Sequence, residues 1–103
     1  MAKAFEISVW KPHPGRTSEF LARFGEVKQV FLAEGVSHIE VLAGVAGKDV
    51  GNVVVIQTFK SLTDNGAVND AIGESAAMKE WMERNKDNHI ADLVSHDLYQ
   101  AIE

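Results

Sequence analysis

The stretch Val53-Val54-Val55-Ile56-Gln57-Thr58-Phe59 constrains this chain more than any other. It opens with four consecutive β-branched residues, a composition that suits an extended strand shielded from water on both faces. Such a strand belongs in the middle of a sheet. A single layer of helices would cover one face only, so something else must cover the other.

The patterns around it give an order. Phe5, Ile7 and Val9 alternate with Glu6, Ser8 and Trp10, as in a short strand with two different faces. Lys11-Pro12-His13-Pro14-Gly15 ends that strand, because proline cannot donate to a ladder and restricts the residue before it. A helix is predicted from about Arg16 to Glu34, with Phe20, Phe24, Val27 and Phe31 on one stripe and Gly35 as its stop. The three phenylalanines read as core packing rather than as an aromatic ligand box. A second strand is predicted over Val36 to Ala43, followed by a glycine-rich hairpin connection from Gly44 to Asn52. That connection has no Gly-Lys-Ser/Thr ending and leads into a strand, so it is not a phosphate loop.

Beyond the central strand, Ser61 and Asp64 mark a helix start, and a break is expected near Gly73. A second helical piece carries Met78, Trp81 and Met82, of which Met78 and Trp81 read as core. From Asp92 to Ile102 the apolar residues fit either a helical stripe or an alternating strand.

The chain has 103 residues, enough for one domain spanning 1–103, and its net charge of −5 disfavours nucleic acid and anionic membranes. It has no cysteine, which excludes disulfides, thiolate metal sites and a cysteine nucleophile. The N-terminal residues lack a signal-peptide pattern, and no run is long enough to span a bilayer, so a cytoplasmic protein is expected.

The residues also carry a family likeness. Lys11-Pro12-His13-Pro14-Gly15 followed by Glu19-Phe20 resembles the opening of dimeric α+β barrel proteins. The strand around Val36–Leu42 and the strand Val54–Phe59, ending in an aromatic, resemble their second and third strands. The antibiotic-biosynthesis monooxygenase-like and NIPSNAP-like branches are the most similar. Two prolines around His13 and a long loop before Val53 depart from the pattern.

This resemblance implies an α+β, ferredoxin-like β-α-β-β-α-β monomer with an antiparallel four-stranded sheet, and the last segment is then a strand. It also implies that two monomers pair sheet against sheet into a dimeric α+β barrel, which would cover the second face of the central strand. The superfamily includes cofactor-independent monooxygenases, haem-degrading enzymes, isomerases, dehydratases and proteins with no known activity. Haem is not expected. The haem-degrading relatives use an asparagine on the first strand and a histidine on the second helix, where this chain has Glu6 and Ser8 and no histidine before His89.

The more uniformly apolar sets, Phe5/Ile7/Val9 and Ile39/Val41/Ala43, are expected to face the helices. Glu6, Ser8, Trp10, His38 and Glu40 are then expected on the helix-free side, joined by Gln57. His38 is the candidate general base, with Glu40 orienting it. Glu6, Trp10, Gln57, His96 and Tyr99 are candidate substrate-binding residues, although His96 and Tyr99 have opposite parity and need a bulge to face the same way. His38, Glu40 and His96 could make a metal set, but the spacing is common by chance and neither metal nor cofactor is expected. His13 and His89 are expected to be solvated. Two functions remain open: a homodimer that binds a small apolar or aromatic molecule and acts as a cofactor-independent monooxygenase-like enzyme, or a non-catalytic binding or assembly module with a filled barrel.

Overall fold

A computed structural model describes residues 2–103. The elements are β1 (Ala4–Pro12), α1 (Thr17–Ala33), β2 (His38–Ala43), β3 (Val53–Phe59), α2 (Leu62–Glu74), α3 (Ala76–Asn85) and β4 (Ala91–Gln100). The strands form one sheet in the order β2-β3-β1-β4, and every neighbouring pair is antiparallel. This is the ferredoxin-like α+β arrangement expected from the sequence, with the second helical region divided in two. The strand reading of the last segment holds, and β3 is a central strand.

Local chemistry sets the boundaries. α1 ends in a Schellman motif: the Val36 N–H donates to Phe31 O at 3.1 Å and the Gly35 N–H to Leu32 O at 3.3 Å. Gly35 takes φ +116°, and a Cβ there would lie 3.2 Å from Val68 Cγ2. The dihedral favours glycine at this position, and a Cβ would also crowd Val68 of α2. Ser61 caps α2, its hydroxyl accepting from the Asp64 N–H at 3.0 Å. The expected break falls at Ser75 instead of Gly73, because Ser75 is extended and its hydroxyl caps α3 through the Met78 N–H at 3.2 Å.

The register assigns the faces. Glu6 is opposite Gln57, Ser8 opposite Val55 and Trp10 opposite Val53. Ile39 is opposite Gln57 and Val41 opposite Val55. Residues in direct opposition share a face. Glu6 is hydrogen-bonded to α2, and the Trp10 ring lies 5.9 Å from Phe20 of α1, so this is the helix side. Ala4, Val53, Val55, Phe59 and Ile39 meet Phe20, Val68 and Ile72 there to form the core.

The expected facing is therefore correct for β2 and inverted for β1 and for Gln57 of β3. Glu6, Ser8 and Trp10 lie under the helices, with Gln57, whereas Phe5, Ile7 and Val9 lie on the helix-free face beside Val54, Ile56 and Thr58. The physical reason is that α2 supplies amide donors for the Glu6 carboxylate, while Phe5, Ile7 and Val9 extend an apolar surface on the other side. On β4, a bulge opposite Val9/Trp10 leaves Val94 as the extra residue. His96, opposite Ser8, points to the helix side; Tyr99, opposite Phe5, points away from it.

Candidate functional site

Between the sheet and the helices α1 and α3 lies a cleft of about 470 Å³. Its helical wall is the stripe Phe20, Phe24, Val27 and Phe31, faced by Met78 and Trp81 of α3. Its floor on the sheet is Ser8, Trp10, Gln57 and His96. The phenylalanines and the two α3 residues that read as core in the sequence therefore do two jobs: Phe20 is buried in the core, while Phe24, Phe31, Met78 and Trp81 are only partly buried and form the cleft wall. Such a site is mostly apolar with a few convergent polar groups, the composition of small-molecule pockets.

A polar network behind the floor holds His96. Glu6 is nearly buried, and its carboxylate accepts three hydrogen bonds. Asn65 Nδ2 donates to Oε2 at 2.7 Å, and Asn69 Nδ2 to the same oxygen at 2.8 Å. His96 Nε2 lies 2.7 Å from Oε1. Asn65 and Asn69 are one helical turn apart on α2, so both amides reach the same carboxylate. An ionised carboxylate can only accept, so this contact assigns a ring proton to Nε2. Trp10 Nε1 donates to Ser8 Oγ at 2.9 Å, two residues away on the same face.

Trp81 Nε1 is a buried donor with no partner among the described residues, and Trp81 lines the cleft. A buried N–H without an acceptor costs about 1–3 kcal/mol. At the mouth, Arg23 Nη1 donates to Asn88 O at 2.5 Å and its Nη2 to Glu19 Oε2 at 3.2 Å. Arg16 Nε donates to Glu19 Oε1 at 2.6 Å, and this bond, ahead of the nearby positive charges, holds the Glu19 carboxyl below its usual value.

Of the residues singled out in the sequence, Glu6, Trp10, Gln57 and His96 come together on the helix side. His38, Glu40 and Tyr99 lie on the opposite face. His38 Nε2 is 3.2 Å from Glu40 Oε1, and their side chains are 63% and 53% exposed. One site cannot contain both groups, so His38 cannot act on a molecule positioned by Trp10 and Gln57 of the same chain. The set His38, Glu40 and His96 cannot ligate one ion either. Asn65, Asn69, Trp81 and the phenylalanine stripe were not singled out as site residues. The Asn65/Asn69 spacing of four, on a helix that crosses a strand bearing a carboxylate, is the signal that could have found the first two.

No protein-family model matches the chain, and no curated protein does. Solved structures do match. A NIPSNAP family protein from Agrobacterium tumefaciens superposes with a TM-score of 0.71 at 14% identity, covering 98% of this chain and 85% of that one. SnoaB, a cofactor-independent oxygenase from Streptomyces nogalater, superposes with a TM-score of 0.73 at 17% identity, covering 100% and 96%. The chain shares the NIPSNAP and SnoaB fold. Rv0793 from Mycobacterium tuberculosis is also similar, with a TM-score of 0.66 at 14% identity over 98% of this chain and 96% of that one. The likeness is one of fold, the ferredoxin-like α+β arrangement, and fold alone does not carry an activity.

Proposed function

We propose that the cleft binds a small apolar or aromatic molecule and that the protein acts on it as a cofactor-independent, monooxygenase-like enzyme. The observation that carries this reading is the aromatic cleft with His96 on its floor, its ring hydrogen-bonded from behind by the nearly buried Glu6. His96 is the base: Glu6 fixes its ring and tautomer, and Nδ1 takes a proton from an acidic C–H or O–H of the substrate. The substrate anion supplies electrons to dioxygen. For a methylene flanked by conjugating groups, one oxygen atom ends as the carbonyl and the other leaves as water. The oxygenase named among the similar structures supports the same reaction class.

The protein is proposed to work as a homodimer joined through its helix-free face. Phe5, Ile7, Val54 and Ile56 are on that face, with Leu42 and Tyr99 exposed at 44% and 53%. The chain exposes 6544 Å², more than the roughly 5,700 Å² expected of a monomer this size. In the dimer, His38, Glu40 and Tyr99 lie at the shared surface. Among the described residues, no helix is long and apolar enough to cross a membrane.

A second reading, a non-catalytic binding or assembly module, is favoured by one observation. Glu6 already has three donors and Trp10 already has Ser8, so these groups serve the fold without a ligand. Titration with a dihydroxynaphthalene separates the readings, with tryptophan fluorescence and oxygen uptake measured on the same samples. Saturable quenching with oxygen uptake that His96→Ala abolishes supports the enzyme. Quenching without uptake supports the binding module. No saturable quenching removes the ligand site altogether.

A further inference from the structure

We propose that His13, His89 and Asp92 form a binding site for a divalent transition-metal ion of the zinc class at the mouth of the cleft. The three residues offer one donor atom each, all within 4.8 Å of one another. His13 Nε2 is 3.3 Å and His89 Nε2 is 2.9 Å from the same oxygen, Asp92 Oδ1. Donors that bind an ion at about 2.0–2.1 Å sit roughly 2.9–3.4 Å from one another, so the two nitrogen–oxygen spacings already match a coordination shell.

The backbone brings these residues together. The β1–β4 ladder runs one step past Pro12, where the His13 N–H donates to Ile90 O at 2.8 Å. That bond sets the His13 ring beside both His89 and Asp92, and the two imidazoles meet edge to face at 5.1 Å. The preceding residue is tied down as well: Asn88 accepts from Arg23 at its carbonyl and from Arg16 at its side chain, at 2.5 and 3.4 Å. The ligands therefore stand on anchored segments, not on a free loop.

Stability does not account for this convergence. His89 and Asp92 are 71% and 61% exposed, and exposed ion pairs contribute little. Two imidazoles and one carboxylate select zinc, cobalt or nickel over calcium and magnesium, which take all-oxygen shells. Three protein ligands leave further coordination positions open. His89 also lines the cleft, so an ion held there stands where a cleft ligand could reach it.

Chelator-stripped, tag-free protein titrated with Co²⁺, followed by visible absorption, and with Zn²⁺, followed by calorimetry, tests the site. One ion per chain is expected, and Zn²⁺ should raise the melting temperature. His89→Ala and Asp92→Asn should each weaken binding at least about tenfold, or 1.4 kcal/mol, whereas His38→Ala, outside the cluster, should bind like the parent. Asp92→Asn keeps the side-chain volume and so remains decisive if a histidine variant fails to fold. Absence of saturable uptake, or equal uptake by the parent and Asp92→Asn, would overturn the proposal.

Discussion

His96 Nε2 lies 2.7 Å from Oε1 of Glu6, a residue 90 positions earlier in the chain. The pair is diagonal across the β1–β4 ladder, since Ser8 is the direct partner of His96 and Leu98 that of Glu6. A diagonal neighbour on the same face is within reach of a long side chain, and this one closes a network that also includes Asn65 and Asn69 of α2. The sheet and the helix layer are therefore joined by one carboxylate that is almost buried.

Glu6→Leu should lower stability by about 1–3 kcal/mol, because the buried Asn65 amide then loses its acceptor. The measurement is urea unfolding followed by circular dichroism. A variant as stable as the parent would show that the network is dispensable.

Gly35→Ala should cost roughly 1–3 kcal/mol. At φ +116° an alanine is strained, and its Cβ meets Val68 Cγ2 at 3.2 Å. Val68→Ala removes the close approach and leaves the dihedral strain. In the double variant the cost of Gly35→Ala should shrink but not vanish, which a double-mutant cycle reads directly.

Glu19 gives a pH dependence of definite sign. Its carboxyl is held below the ordinary value of 4.5, chiefly by the hydrogen bond from Arg16. The depressed folded-state value means that the stabilisation is complete above the unfolded value and is lost as pH falls through the folded one. Thermal melts between about pH 6 and 3 should therefore drop more steeply for the parent than for Glu19→Gln. Parallel curves would assign the acid limb to other carboxylates.

Ile56→Glu should turn a dimer into a monomer without changing the far-ultraviolet spectrum. The residue is on the helix-free face, directly opposite Ile7 on the neighbouring strand. Burying a carboxylate against a second apolar sheet is costly. Light scattering after size exclusion checks the expectation, and a parent protein that is itself monomeric at micromolar concentration would remove the dimer.

Much of the architecture was legible in the chain. The period-2 alternation of Phe5–Trp10, the Phe20/Phe24/Val27/Phe31 stripe, the Gly35 stop and the Ser61 cap are local signals, set by backbone sterics and short-range hydrogen bonds. The four β-branched residues of β3 are a local signal too, since they suit a strand covered on both faces and so one inside the sheet. These depend on near neighbours in sequence, so the sequence alone determines them.

The site was decided elsewhere. Alternation says that Glu6, Ser8 and Trp10 share a face, but not which face receives the helices, because the pattern is the same when the strand is turned over. That choice was made by α2, whose Asn65 and Asn69 meet Glu6 59 and 63 residues away in sequence. Likewise, nothing local distinguishes a phenylalanine that fills the core from one that walls a cleft; the spacing of α1 and α3 from the sheet decides it. His13, His89 and Asp92 converge only because the β1–β4 ladder closes the chain on itself. The sequence by itself determined which residues travel together along each strand and helix. Only tertiary packing, through contacts between distant segments, decided which of those sets meet.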